Sequence, residues 1–241
     1  MSGTLYGIGL GPGDPELMTL KAHRLISSAQ VIAYPAPDTG ESFARSIAAD
    51  VIPANAREIP IVVPMRVDRF PAREIYDKAA GEIAAVLESG ADVVTLCEGD
   101  PFFYGSFMYL FERLSSRFRV EVVPGVTSLT ACAAQLRRPL TSRNDVLTVI
   151  PGPLPDDEIR RRIDAAQAVA IMKVGRHLPR LKALLSGMGL LDRAGYVERA
   201  SLADQKVHRL VDLEAESAPY FSMILIYKGD EAWTLPPSFS S

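Results

Sequence analysis

The sequence predicts an α/β protein built as two α/β domains, and three observations carry that reading. Through the first half, short apolar runs rich in β-branched residues alternate with segments of helical periodicity. Each run stops at a glycine- or proline-rich turn. The second half continues the alternation but closes on a succession of short strand-like runs, which suggests a mixed sheet. A length of 241 residues suffices for one large domain or two small ones. The change of pattern places the boundary after residue 123, giving domains 1–123 and 124–241.

Residues 4–10 alternate as a first strand and run into Gly9-Leu10-Gly11-Pro12-Gly13-Asp14-Pro15. This turn fails the dinucleotide fingerprint G-x-G-x-x-G, because the third glycine would be Pro12 or Asp14. Pro12 also lacks the amide that a phosphate cradle uses. The turn therefore reads as shaped for close backbone approach to something other than a pyrophosphate. Residues 19–28 form an amphipathic helix with Leu20, Leu25 and Ile26 inward and Thr19 as its cap. Residues 31–34 are a second strand, cut off by Pro35-Ala36-Pro37, with no acidic residue at its end to hold a ribose. A helix over 42–50 and a strand over 58–63 precede a loop, 64–71, that carries Arg66 and Arg69. Helix 72–88 follows, with Ile75, Ala79, Ile83, Val86 and Leu87 at helical spacing.

The stretch that organises the chain is next. Val93, Val94, Thr95 and Leu96 form a buried strand that stops at Glu98-Gly99-Asp100-Pro101. Gly99 lets a backbone approach a ligand, and Asp100 can accept hydrogen bonds from ligand hydroxyls or amines. Phe102, Phe103 and Tyr104 supply flat apolar walls, or read equally as aromatic core filler; Ser106 is a candidate cap for helix 107–114. In open α/β sheets ligands sit at the carboxyl ends of strands, where this turn falls. Strand 119–123 then enters Pro124-Gly125-Val126-Thr127-Ser128 and a helix with the small run Thr130, Ala131, Cys132, Ala133, Ala134. So small a face suits close packing on another backbone or on a ligand. Strands are expected at 146–150, 168–174, 195–199, 205–210 and 222–227, helices at 157–166 and 179–185, and a peripheral tail after Gly229.

Hydrophobic residues at 48% and charged residues at 23% are ordinary values for a soluble globular chain. A net charge of -3 argues against nucleic acid or an anionic membrane as partner. No signal peptide is visible, and no apolar run approaches the roughly 20 residues of a membrane span. Cys97 and Cys132 read as buried free thiols, which points to the cytoplasm. His23, His177 and His208 lack metal-ligand spacing, so no metal site is expected. No triad or paired-carboxylate motif appears, and no catalytic residue is identified.

Three signals stand in order: Gly-Leu-Gly-Pro-Gly-Asp-Pro, Glu-Gly-Asp-Pro-Phe-Phe, and Val-Val-Pro-Gly-Val-Thr-Ser, followed by a late Met-Lys-Val-Gly. In this order the chain resembles the tetrapyrrole methylase family over residues 4–228. Those enzymes take a methyl group from S-adenosylmethionine (SAM) in cobalamin and sirohaem biosynthesis. The resemblance implies two α/β domains of the class III SAM methyltransferase type, with the cofactor in the cleft between them, usually in a homodimer. Within the family, segment 96–110 is most similar to the branch that methylates carbon 20 of precorrin-2, giving precorrin-3A. Uroporphyrinogen methylases typically have Gly-Gly-Asp-Pro where this chain has Glu98-Gly99-Asp100-Pro101, and Tyr-Asp where it has Tyr34-Pro35.

Carried over by motif, the resemblance implies cofactor contacts for Pro12, Gly99, Asp100, Phe103, Ser128, Thr130, Ala131, Met172, Lys173, Ala200, Ser222 and Met223. Met172, Ala200 and Met223 read equally as plain core. A substrate with eight carboxylates implies guanidinium partners. Candidates are Arg66, Arg69, Arg73, Arg137, Arg138 and Arg143, with Tyr104 and Tyr109 against the macrocycle; each arginine alone also reads as a solvated surface charge. Methyl transfer itself needs positioning in a dry pocket more than a base. Three other readings stay open. The same chemistry on the cobalt-containing substrate of the anaerobic route is the nearest. A methylase of RNA or protein side chains is disfavoured by the net charge. A non-catalytic nucleotide-binding module is disfavoured by the failed fingerprint and the missing P-loop lysine.

Overall fold

The β-branched runs of the first half form one parallel sheet. In the computed structural model, which describes residues 1–63 and 71–229 (backbone only at 71 and 72), the strands are β1 (Thr4–Gly9), β2 (Val31–Ala36), β3 (Arg57–Val62), β4 (Val93–Cys97) and β5 (Arg119–Val123). Their order is β3-β2-β4-β1-β5, and every pairing is parallel. Helices α1 (Leu20–Ser27) and α2 (Phe43–Ile47) cover one face, α3 (Pro71–Glu88) and α4 (Phe107–Leu114) the other. The period of two in β4 serves both: Val93 and Cys97 face α3 and α4, Val94 and Leu96 face α1 and α2.

Three expectations are corrected here. Leu20 does not turn inward: it is 90% exposed, and α1 packs through Ala22 and Ile26. Thr19 caps the helix by accepting from the Ala22 amide, which leaves Leu20 at the first helical position, off the buried stripe. Pro35 does not cut off β2, which continues to Ala36. The Ala36 carbonyl accepts from Val63 on the β3 side, so Pro35 points its nitrogen toward β4, whose pairing has ended at Ala33. A missing amide there costs no ladder bond. Ser106 stands at the N-cap of α4 but makes no capping bond to the helix.

The second half forms α5 (Ser128–Gln135), β6 (Leu147–Pro151), α6 (Asp156–Asp164), β7 (Ala168–Met172), α7 (Leu178–Gly187), β8 (Ala194–Glu198), β9 (Lys206–Arg209) and β10 (Ser222–Tyr227). The sheet order is β6-β7-β10-β8-β9; β6 and β7 are parallel and the other pairs antiparallel, the mixed sheet expected. Helices α6 and α7 bury Ile159, Ile163, Leu178, Leu181 and Leu185 on one face. On the other, α5 lies against β10, and Leu136 sits where a Cβ on Gly195 would stand 2.5 Å from it.

The chain divides into two compact units, Met1–Thr127 and the remainder from Ser128, each holding one of these sheets. The boundary expected after residue 123 falls at the end of β5, just before that division. Cys97 and Cys132 are both buried and free. No helix among the described residues is long and apolar enough to cross a membrane, and those residues hold no metal-binding cluster. The expected loop arginines Arg66 and Arg69, and the tail, lie outside the described residues.

Candidate functional site

In the first unit, β1 and β4 are neighbours whose chains leave for opposite faces, β1 into α1 and β4 into α4. A crevice opens beyond such a pair of strand ends. Here it is floored by backbone. Gly11 and Gly99 exchange hydrogen bonds in both directions (3.2 and 2.8 Å), and the Leu10 amide donates to the Cys97 carbonyl at 3.0 Å. A Cβ on Gly125, just past β5, would stand 2.0 Å from the Gly99 carbonyl oxygen and 2.9 Å from Gly9. Gly9 and Gly125 are therefore demanded by the backbones of the neighbouring turns. Gly99 differs: it adopts φ +65°, and no atom lies within 4 Å of where its Cβ would be. That side of the turn is open.

Asp100 ties the junction together. Its Oδ1 accepts from the Phe102 amide at 2.9 Å and its Oδ2 from the Gly125 amide at 3.0 Å. Both oxygens are thus engaged before any ligand arrives, although each retains a lone pair. Pro12 and Phe103 are partly exposed beside this turn in the chain, and Tyr104 is 45% exposed with φ +57°. Non-glycine residues held in that conformation concentrate at functional sites. Tyr109 is 44% exposed and lies 4.9 Å, ring to ring, from Tyr76 of α3. Arg113 donates to the carbonyls of both Tyr109 and Arg73, which brings those two candidates to one end of the α3–α4 pair.

Glu98 went unread in the sequence except as a departure from a motif. Burial, the dominant influence, raises its pKa above the usual carboxylate value, with the nearby backbone amides of its own residue and of Ala44 acting the other way. Burial pushes the Cys97 thiol up to about 11 and the Cys132 thiol up to about 12. Neither is a nucleophile at neutral pH.

In the second unit, the register sets Met223 beside both Met172 and Val197, and Ser222 beside Glu198. The Arg199 amide donates to the Phe221 carbonyl at 2.8 Å, which brings Ala200 to the same sheet end. Lys173, Arg199 and Ser201 there take left-handed backbone, φ +58°, +50° and +69°. Met223 and Ala200 are buried, and Ser222 donates its hydroxyl to the Pro219 carbonyl at 2.7 Å. Behind them Tyr196 donates to Glu198, which Lys206 also pairs at 2.8 Å. Of the α5 candidates, Ala131 is buried, Ser128 partly so, and Thr130 exposed.

Two arginines lie away from the Met172–Met223 end of the sheet. Arg138 is 5% exposed and donates to the carbonyls of Arg193 (3.0 Å) and Leu225 (2.7 Å), so it is part of the interior and not a substrate clamp. Arg143 lines an open polar pocket with Asp145, Gln167, Tyr227 and Lys228. That pocket is at the Ala168–Tyr227 end of the β7–β10 pair, the opposite end from Met172 and Met223. Arg137 is exposed, with φ +51°.

Residues 4–214 match the family model of the Tetrapyrrole (Corrin/Porphyrin) Methylases. The chain belongs to this family. Among relatives of this methylase, the precorrin-2 C(20)-methyltransferase of Sinorhizobium sp is 38% identical over 232 residues, covering 93% of this chain and 95% of that one. The cobalt-precorrin-2 C(20)-methyltransferase of Salmonella typhimurium is 32% identical, covering 95% and 98%. The cobalamin biosynthesis protein CobIJ of Mycobacterium bovis is 43% identical over 235 residues, but these span only 46% of its length, so the methylase matches about half of that relative. Among solved structures, the uroporphyrin-III C-methyl transferase of Thermus thermophilus complexed with S-adenyl homocysteine superposes with a TM-score of 0.69 at 28% identity, covering 92% of this chain and 97% of that one.

Proposed function

We propose that this methylase transfers the methyl group of S-adenosylmethionine to carbon 20 of precorrin-2 in cobalamin biosynthesis, giving precorrin-3A and S-adenosylhomocysteine. The observation that carries the reading is the 38% identity to precorrin-2 C(20)-methyltransferase, which runs almost the whole length of both chains. The strand-end crevice supports it. Gly99 leaves an open side, its turn is held rigid by Asp100, and aromatic residues stand beside it.

SAM supplies a methyl group activated on a sulfonium and leaves as a neutral thioether. The chain's residues have to bind, orient and exclude water. In the first unit Pro12, Gly99 and Phe103 are the proposed cofactor contacts, with Asp100 holding the turn they stand on. In the second unit they are Ser128, Thr130, Ala131, Met172, Lys173, Ala200, Ser222 and Met223, whose apolar side chains suit a purine and whose backbone groups suit its edge. Arg73, Arg137, Tyr104 and Tyr109 are proposed for the substrate's carboxylates and ring faces. The electron-rich meso carbon is itself the nucleophile, so no base is required to begin. We further propose a homodimer in the cytoplasm, with the two units as its domains.

The second reading is the cobalt-containing substrate, favoured by the 32% identity to the Salmonella enzyme. The metal would arrive inside that substrate. Anaerobic incubation with SAM and precorrin-2, followed by product mass and carbon NMR, tests both. One added methyl at carbon 20 is the expected result. Turnover only with cobalt in the ring moves the protein to the second reading, and no transfer to either macrocycle refutes both.

A further inference from the structure

Two segments of the second unit carry cofactor contacts in the reading above: α5, with Ser128, Thr130 and Ala131, and the turn after β8, with Ala200. We propose that Gln205 and Gln135, joined amide to amide, hold these two segments together for S-adenosylmethionine and so act as positioning residues for the cofactor. The inference rests on those proposed contacts and adds to them.

The turn is one that needs holding. The β8–β9 ladder ends at the Glu198–Lys206 pair, so the residues between them find their bonds outside it. Arg199 and Ser201, on either side of buried Ala200, take φ +50° and +69°. Left-handed backbone is unfavourable for any residue with a Cβ and persists where its surroundings impose it. Here the Arg199 amide donates to the Phe221 carbonyl, and the Leu202 amide donates to the Arg199 carbonyl at 3.0 Å. The Gln205 amide donates to the Leu202 carbonyl at 3.1 Å, and Asp204 pairs with the Arg199 guanidinium. The Ser201 amide, directly after Ala200, donates to Oε1 of Gln205 at 2.9 Å.

That last bond decides which way round the Gln205 side chain stands. A backbone N–H can only donate, so the amide oxygen faces Ser201 and the NH2 group faces away. It faces Gln135, whose Oε1 accepts at 2.9 Å. Gln135 is the last residue of α5. Positions 128, 131 and 135 follow the i, i+3, i+7 spacing of a single helix stripe. The stripe that begins with Ser128 and Ala131 therefore finishes on the residue that Gln205 holds. Leu136 seats α5 on Gly195, near the start of β8, whereas the amide pair ties the helix to the turn beyond its other end.

Neither glutamine is a titratable group, and both are partly exposed. Their effect is on where Ala200 and the α5 stripe stand before the cofactor arrives. With the bridge, the cofactor meets a turn already set. Without it, part of the binding energy goes into ordering the turn. The loss therefore falls on cofactor affinity, and not on the tetrapyrrole or on methyl transfer once the cofactor is bound.

The test is calorimetry of S-adenosylhomocysteine binding to the full chain, with steady-state and single-turnover kinetics alongside. Q205L removes both side-chain bonds and is expected to weaken binding roughly tenfold. The KM for the tetrapyrrole and the transfer rate at saturating SAM should stay within about twofold of wild type. Two further variants keep a bridge. Q205E leaves an acceptor for the Ser201 amide, and Gln135 meets the second oxygen by turning its own amide over; Q135E leaves an acceptor for Gln205. Each should bind within about threefold of wild type, whereas Q135E/Q205E sets carboxylate against carboxylate and should match the loss in Q205L. Hydrogen exchange at the Ser201 amide of the ligand-free protein should quicken in Q205L and in the double variant. Binding within about twofold of wild type in both overturns the proposal, as does an equal rise in the KM for SAM and for the tetrapyrrole. Should Q205L not fold, the double variant decides: a loss beyond the sum of the single ones supports the proposal, and additive losses overturn it. Wild type that binds no S-adenosylhomocysteine sinks the cofactor contacts and this proposal together. Wild type that binds it but methylates neither macrocycle sinks the substrate reading alone, and the calorimetric comparison still decides this one.

Discussion

Substituting Asp100 by Asn separates holding the turn from holding a ligand. Asp100 receives two backbone amides on two different oxygens, Phe102 at 2.9 Å and Gly125 at 3.0 Å. Asn has one oxygen and one NH2 group, so in either flip one amide faces another donor. The bond lost is charge-assisted and contributes about 1.5–3 kcal/mol; partial exposure lets water reach the orphaned amide, which favours the lower end. D100N is therefore expected to lose about 1.5–2 kcal/mol in urea unfolding at neutral pH. Amide exchange at Gly125 or Phe102 in the ligand-free protein should quicken by roughly tenfold, since a factor of ten corresponds to about 1.4 kcal/mol of local opening. Unchanged exchange at both amides, with stability within about 0.5 kcal/mol of wild type, would refute the reasoning. Asp100 would then be reserved for a ligand.

Other substitutions probe the same physics. G125A should cost roughly 1–3 kcal/mol or more, because its Cβ would meet backbone at 2.0 Å, and calorimetry should show weaker S-adenosylhomocysteine binding. G99A meets no atom within 4 Å and should lose only the roughly 1–2 kcal/mol of a left-handed alanine, read from thermal melts. G81A, exposed in mid-α3 with open space around it, should gain about 0.5–1 kcal/mol in urea titrations. R138M leaves two carbonyls without their donor and should destabilise by about 2–4 kcal/mol, with the KM for tetrapyrrole unchanged. Glu98 is raised above its ordinary 4.5 in the folded protein. Below 4.5 both states are protonated and E98Q should match wild type; as pH rises from 4.5 through the folded value, wild type should lose stability relative to E98Q, read as diverging melting temperatures.

Where a signal was local, the sequence was readable. The β-branched runs and their turns located β5, α4 and β10 at their observed limits, and the switch to short late strands announced the mixed sheet. Pro35 misled because its penalty depends on which neighbour its nitrogen faces, and that is settled by where β4 stops pairing. Leu20 misled because a helix face is set by the sheet beneath it. At the site, the glycine turns were legible as close approaches, but not that they approach each other. Charge alone marked Arg138 for the surface, whereas two carbonyls more than fifty positions later in the chain draw it inside. Arg143 required knowing which end of β10 is which.

The position of β1 bears on how the protein is made. Its partners on either side are β4 and β5, with Leu5 aligned to Val93 and Thr4 to Arg119. During synthesis β1 therefore waits, both edges without their partners, until nearly the whole first unit has been translated. Contacts so distant in sequence close slowly, and an apolar strand with open edges invites pairing with other chains. A nascent chain halted before residue 93 holds an interior strand without either of its neighbours, so recovery of folded protein should depend on elongation rate and on chaperones that shield Leu5 and Ile8 in the interval.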